Sequence, residues 1–431
     1  MVMKMIRKEI KELHEIFLKH PVIERDSRAV KEGNIFWALK GEKFDGNQFA
    51  QEALKKGAHI AVVSDKKLNL IKEKRFFFVE NTLQALQDLA NLHRNYIGMP
   101  VIGITGSNGK TTTKELVNAV LSQKYKTVAT HGNYNNQIGV PLTLLNLSED
   151  TDIAVVEMGS NHFGEIKRLT EIAEPNFGII TSIGKAHLEF FKDLNGVFKE
   201  KTELFKHLKQ NNGIAFINID DEIIKQAAQN LQTYSFSFKN NPKAHIQLTD
   251  ITSGTFLKIK LNNTELQTQL TGKYNLSNLG YAIAVGKFFN LSDDEIKKAI
   301  EAYVPQNMRS QIIEKNSNIY IIDSYNANPT SMNHALDNLN QMNVKRKVAI
   351  LGDMFELGEK AKEEHQAIVD KADNYQMETY LIGENFFQTK SNFPKFKTTD
   401  EFIKSGILTK IQNAHILLKA SRGIELEKLL T

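Results

Sequence analysis

Short runs of four or five apolar residues recur along this chain, with helix-forming stretches between them. Val101-Ile102-Gly103-Ile104, Ile153-Ala154-Val155-Val156 and Phe177-Gly178-Ile179-Ile180 are runs of this kind, and residues 114–123 read as a helix. A run that is apolar on both faces suits a strand covered on both sides, so the alternation predicts a parallel sheet with helices packed on it. An earlier segment has the same grammar. Gly33 to Leu39 reads as turn then strand, Gly46 to Lys56 as a helix closed by Gly57, and His59 to Val63 as a buried strand. A later segment repeats it with Ile319–Ile322, Val348–Leu351, Tyr380–Ile382 and Ile416–Leu418. Between Phe256 and Leu270 the period changes to two, with Asn262-Asn263 at the turn, which predicts a hairpin added at a sheet edge. Ser292 with Glu295 forms a capping box that opens a helix reaching about Ala302.

These patterns divide the chain near Met99 and near Val304-Pro305. The expected fold is α/β with three domains. A small N-terminal α/β domain (1–99) and a C-terminal Rossmann-like α/β domain (305–431) flank a central, mostly parallel sheet of P-loop type (100–304).

Composition agrees. With 431 residues, 41% hydrophobic and 24% charged, each domain has material for its own core. The absence of cysteine excludes disulfides, thiolate zinc sites and cysteine nucleophiles. Lys4, Arg7, Lys8 and Lys11 alternate with Glu9, Glu12 and Glu15, so no apolar secretory core is present. No run of about 18 apolar residues occurs, so no membrane span is expected, and the cytoplasm is the default location. The net charge of +5 is dispersed, as in Glu42-Lys43 and Lys360 to Glu364. That favours a solvated surface over a nucleic-acid face and suits an anionic substrate.

The chemistry concentrates at Thr105-Gly106-Ser107-Asn108-Gly109-Lys110-Thr111-Thr112, between a strand and a helix. Glycines let backbone N–H groups turn inward, and the helix N-terminus adds positive potential. Lys110 can reach terminal phosphates and the Thr111 hydroxyl can bind Mg²⁺. The loop is shorter than the Walker form, since Ile104 stands where that form has glycine. Downstream, Glu157 ends a buried strand, where it is either a ligand or an exposed strand-end acid. His187 holds the equivalent place after the next strand, where it is either a ligand or a structural histidine. Lys201 lies on a helix and, taken alone, reads as a surface charge.

In this order the motifs resemble those of the Mur ligases, the ATP-dependent amide ligases of bacterial cell-wall synthesis. Thr105 to Thr111, Glu157 at a strand end, His187 after Ile183-Gly184 and Lys201-Thr202-Glu203-Leu204-Phe205 carry the resemblance. It extends to Asp26-Ser27-Arg28 with Gly33-Asn34-Ile35-Phe36, Gly132 to Gly139, Asp323 to Pro329 and Gly352 to Gly358. Those four stretches resemble the members that join D-alanyl-D-alanine to a UDP-N-acetylmuramoyl-tripeptide, and the resemblance implies these two substrates, ATP and Mg²⁺; a monomer is expected. It implies that Gly106, Ser107, Asn108, Gly109, Lys110, Thr111 and Thr112 hold the phosphates. Thr111, Glu157, His187 and a carbamylated Lys201 would serve Mg²⁺, and Lys110, Glu157, His187 and Lys201 the chemistry. Asn275, Asn278 and Arg309 would flank adenine and Asp323 the ribose. Ser27 and Arg28 would face the uridine nucleotide, and Asn135, Asn136, Asn326 and Asn328 the peptide ends. Each asparagine has a turn-forming reading as well. Two departures stand out, Met308 and Ala420, each where the family usually has glycine.

Two other readings compete. A sibling ligase adding the third amino acid to a UDP-dipeptide usually carries Asp-Asn-Pro-Arg, which this chain lacks. A P-loop ATPase acting as switch or motor would share the loop but has no evident use for Asp323 to Pro329.

Overall fold

The structure, a computed structural model, describes residues 7–41 and 44–430. The charges read at Lys4 and at Glu42-Lys43 lie outside the described residues. The chain forms two compact units. One takes the chain up to Gly103 with Tyr125–Gly159 and Lys167–Phe177, and the other takes Ile104–Lys124, Ser160–Ile166 and everything from Gly178 onward.

In the first unit, Ile23–Glu24, Ile35–Trp37, Ile60–Val63 and Phe76–Phe78 form a parallel sheet in that order. Ile35, Phe36, Trp37 and Ala61 to Val63 are fully or nearly fully buried, as a two-sided core strand requires. The Trp37 indole donates to the Thr82 carbonyl at 2.8 Å, which satisfies its one polar atom in the core. Helix Thr82–Ile97 begins at an Asn81 cap and ends at Gly98 in the left-handed region. The predicted helix over 46–56 is split. Gly46–Phe49 is a 3₁₀ turn, and the α-helix runs only over Ala50–Lys55. Asp45 caps the turn through the Asn47 N–H, and the chain passes so close to the Leu39 carbonyl that only glycine fits at 46.

The central sheet has nine strands. Their order is Thr264–Gln267, Lys258–Leu261, Ile246–Asp250, Gln232–Ser237, Ile214–Asn218, Phe177–Ile180, Val101–Thr105, Ile153–Glu157 and Thr127–Ala129. The expected hairpin is there, antiparallel and at the sheet end, with Asn262 in the left-handed region at its turn. Strands Ile214–Asn218, Gln232–Ser237 and Ile246–Asp250 pair in parallel; the first carries the apolar run Ile214 to Ile217, whereas the other two have none. Ser292 and Glu295 form the predicted capping box on Asp293–Ala302.

The last sheet runs in the order Gln311–Lys315, Asn318–Asp323, His415–Lys419, Lys347–Gly352, Glu378–Ile382 and Lys395–Phe396. It is parallel except for the first hairpin. One face packs on helices Pro329–Gln341 and Ala361–Asn374, through residues such as Leu336, Leu339, Ile368 and Leu417. The opposite face packs through Val348, Ile350, Ile416 and Phe402. The strands' C-terminal ends therefore carry Asp323, Asp353 and Lys419 on one rim, where open α/β sheets place ligands.

Candidate active site

The loop after Val101–Thr105 is laced to the segment that follows the Phe177–Ile180 strand. The Ser107 amide donates to the Ser182 carbonyl at 2.9 Å, and the Asn108 amide to the Ser182 hydroxyl at 3.0 Å. The Thr181 hydroxyl donates to the Asn108 carbonyl at 2.6 Å. The Ser107 hydroxyl donates to the Gly184 carbonyl and accepts from an N–H, both at 3.0 Å. These partners went unnoticed in the sequence, because hydroxyl residues after a strand look like ordinary turn formers.

Two glycines are obligatory. Gly109 has φ +83°, and a Cβ there would sit 2.5 Å from the Asn278 side-chain oxygen. Gly106 has φ +144°, and its Cβ would collide with Thr181. Gly109 is the N-cap of helix Lys110–Leu121, which starts four residues earlier than the sequence reading placed it. The first turn thus presents its open N–H groups at the loop. Lys110 reaches back over the loop to the Gly106 carbonyl at 2.6 Å and the Ser107 carbonyl at 3.3 Å. Thr111 and Thr112 are buried, and the Thr111 hydroxyl oxygen has no hydrogen-bond partner.

Lys201 is not a surface charge. It ends helix Leu194–Lys201, is 1% exposed, and donates to the Ser160 hydroxyl at 2.7 Å. Burial first, then the nearby Lys110 charge, lowers its pKa to about 7, against the opposing pull of Glu200 and Glu165. Ser160 is held by its own loop. The buried Glu200 carboxylate accepts from the Gly164 and Ile166 amides at 2.7 and 2.8 Å, which fixes residues 160–166 over the lysine. His187 adopts φ +51°, and its Nδ1 lies 2.5 Å from Oε2 of Glu356. That contact holds the Glu356 carboxyl below its usual range.

In the other unit, Glu157 is also not an exposed acid. It is 1% exposed, one of its oxygens accepts from Asn135 at 2.7 Å, and the other has no partner. Asn136 acts as the turn former, its side-chain oxygen accepting from the Ile138 and Gly139 amides. Ser27 is buried, while the exposed Arg28 is forked onto Asp26 and holds that carboxyl at about 2.

Asn275 and Asn278 form a buried relay. Asn278 donates to Asn275 at 2.7 Å and accepts from the Thr113 hydroxyl at 3.0 Å, which braces the loop's helix. Arg309 lies 3.9 Å from the centre of the Tyr325 ring, and Arg422 lies over the same ring at 5.6 Å. Asp323 pairs with the buried Lys419 at 3.1 Å, and burial lowers the pKa of that lysine. Asn326 closes its own turn through the Ala327 amide, and Asn328 caps helix Pro329–Gln341. Both departures from the family pattern have structural consequences. Met308 sits at φ +57°, a conformation that glycine adopts without strain. Ala420 is fully buried, and its methyl occupies the space that a side chain at Gly352 would need.

A strand, a glycine-bounded loop and a helix N-terminus on a largely parallel sheet define an α/β protein with a P-loop-type phosphate cradle. Three family models match in succession: "Mur ligase family, catalytic domain" over 22–94, "Mur ligase middle domain" over 104–286, and "Mur ligase, glutamate ligase domain" over 308–414. The chain belongs to the Mur ligase family. Among its relatives is the UDP-N-acetylmuramoyl-tripeptide--D-alanyl-D-alanine ligase of Bacillus subtilis, 33% identical, with 99% of this chain and 98% of that protein covered. The Synechocystis protein of the same name is 36% identical over 80% of this chain and 74% of its own length. The crystal structure of MurF from Acinetobacter baumannii aligns with a TM-score of 0.83 at 31% identity, covering 95% and 92% of the two chains. MurF ligase from Thermotoga maritima in complex with ADP aligns at 0.84 and 27% identity, covering 98% and 97%.

Proposed function

We propose that this protein joins D-alanyl-D-alanine to UDP-N-acetylmuramoyl-tripeptide at the expense of ATP, forming the pentapeptide precursor of peptidoglycan. The observation that carries this reading is the similarity to ligases of that name along almost the whole chain, at 33% identity for the Bacillus subtilis protein. The half-buried Lys110, bonded back onto the loop, and the buried Thr111 and Lys201 support it.

In the first step the tripeptide's terminal carboxylate attacks the γ-phosphorus of ATP, ADP leaves, and an acyl phosphate forms. In the second, the amine of D-alanyl-D-alanine attacks the acyl carbon. The tetrahedral intermediate expels phosphate, and the amine's proton is lost to give the amide. The first step brings two anions together. Repulsion between unit charges about 4 Å apart is about 4 kcal/mol at an effective dielectric of about 20. The loop amides, the N-terminus of helix Lys110–Leu121 and Lys110 itself offset that repulsion.

Thr111 and Glu157 each keep a buried oxygen without a partner, and such oxygens suit Mg²⁺. When bound, the ion would neutralise charge on the phosphate oxygens. We assign Thr111, Glu157, His187 and Lys201 to it. For Lys201 this requires a carbamate. A buried amine whose pKa is lowered to about 7 is substantially unprotonated at neutral pH, and so can attack CO₂. Asn275, Asn278, Arg309 and Asp323 are assigned to the nucleoside of ATP. Ser27 and Arg28 are assigned to the uridine end, and Asn135, Asn136, Asn326 and Asn328 to the peptide ends. The domain limits 1–99, 100–304 and 305–431, a monomeric state and a cytoplasmic location, where nucleotide-linked precursors and ATP are found, belong to the same proposal. No described helix is long and apolar enough to cross a membrane. The test is product formation: mass spectrometry of a mixture of ATP, the UDP-tripeptide and D-alanyl-D-alanine should show the UDP-pentapeptide, and its absence would refute the reading.

A further inference from the structure

Asn328 makes two sets of hydrogen bonds that call for different chemistry. Its side-chain oxygen accepts from the Ser331 amide at 2.9 Å and caps helix Pro329–Gln341, where Ser331 completes a capping box and Pro329 sets the first turn. Its side-chain NH₂ donates to the side-chain oxygen of Asn108, in the phosphate loop, at 2.8 Å. The Asn108 NH₂ returns a longer contact of 3.4 Å. Asn328 is 7% exposed and Asn108 is half-buried, so this amide pair is partly shielded from water. Serine, aspartate and threonine also serve at an N-cap, but none carries a donor beside the capping acceptor that can extend this far. Capping alone therefore does not explain asparagine, whereas the bond to Asn108 does.

The same helix turn touches the other support of the loop. The Thr330 hydroxyl accepts from the Lys185 amide at 3.1 Å, one residue beyond the Gly184 that holds Ser107. The Lys185 ammonium pairs with the buried Glu364 at 2.5 Å. The start of helix Pro329–Gln341 thus bonds both to the loop and to the segment bracing it.

We infer that Asn328 is a positioning residue whose amide pair with Asn108 sets the phosphate loop and couples ATP binding to the seating of helix Pro329–Gln341. This deepens the ligase reading and rests on it. Coupling of this kind is reciprocal. A triphosphate that orders Asn108 strengthens the helix's seat, and a well-seated helix tightens the grip on ATP.

The test is a double-substitution cycle on the full-length enzyme with Asn328→Ser, Asn108→Ala and both together. Serine keeps the cap and removes the donor, so the melting temperature of Asn328→Ser should match that of the unsubstituted protein. Its kcat/KM for ATP should fall about five- to tenfold, the scale of one part-buried hydrogen bond. The far-UV circular dichroism should be unchanged as well, which a general loss of structure would not allow. Asn108→Ala should lose a similar factor, and the double variant no more than the larger single loss. Losses that multiply in the double variant, or an Asn328→Ser enzyme with unchanged kcat/KM for ATP, would overturn the inference. Asn108→Ala lies outside any helix interior and gives its arm of the result even where the cap variant folds poorly. Pentapeptide formation by the unsubstituted enzyme, measured alongside, tests the ligase reading separately.

Discussion

At the scale of single residues, burial separates chemistry from surface where sequence position could not. Position left Glu157 open between a ligand and an exposed strand-end acid, and Lys201 taken alone read as a surface charge, yet both are 1% exposed. Among the described residues no carboxylate bonds the Lys201 ammonium, so its burial is costly and the amine loses its proton more readily. Two predictions belong here. Lys201→Arg keeps a cation but cannot form the carbamate, so turnover should fall by orders of magnitude; full activity would refute the carbamate. In CO₂-depleted buffer the unsubstituted enzyme should slow and should recover on adding bicarbonate. The loop makes a third prediction. Gly109→Ala places a methyl at φ +83° against Asn278, so kcat/KM for ATP should drop at least tenfold with little change in folding. Lys110→Ala should abolish turnover while the far-UV circular dichroism stays unchanged, and normal turnover would end the assignment of the loop. Asn136 shows the limit of reading residues alone. Turn and substrate contact were equally open, and only the structure shows its oxygen bound to two backbone amides.

At the scale of elements, apolar runs reported what lies buried on both faces. Val101–Thr105, Ile153–Glu157 and Lys347–Gly352 were legible because nearly every side chain is covered. Gln232–Ser237 and Ile246–Asp250 were not, because their exposed and part-buried positions carry Gln, Thr and Asp and leave no run to see. The helix over 46–56 failed for a different reason. The close pass of Gly46 by the Leu39 carbonyl is a tertiary contact that no local pattern encodes. Strand Ile35–Trp37 carries its own prediction. Trp37 is the chain's single tryptophan and is fully buried, so its emission should be blue-shifted and should move red only when this unit unfolds. Trp37→Ala should cost about 3–5 kcal/mol in urea titrations followed by circular dichroism, through the cavity it leaves. A loss below about 1 kcal/mol would contradict the packing described.

At the scale of the whole molecule, the loop alone could belong to many nucleotide-dependent proteins. What distinguishes this one is that a further, mostly parallel sheet, Gln311–Phe396 with His415–Lys419, carries the Asp323 to Pro329 stretch, which bonds back to the loop through Asn328. A motor would hydrolyse ATP by itself, whereas an acyl-phosphate ligase has nothing to phosphorylate until the tripeptide is present. The most direct measurement is phosphate release from ATP by the purified enzyme, with each substrate omitted in turn. Full-rate release is predicted only when UDP-N-acetylmuramoyl-tripeptide and D-alanyl-D-alanine are both present. Full-rate release with neither, or a response only to a UDP-dipeptide with a free diamino acid, would contradict it.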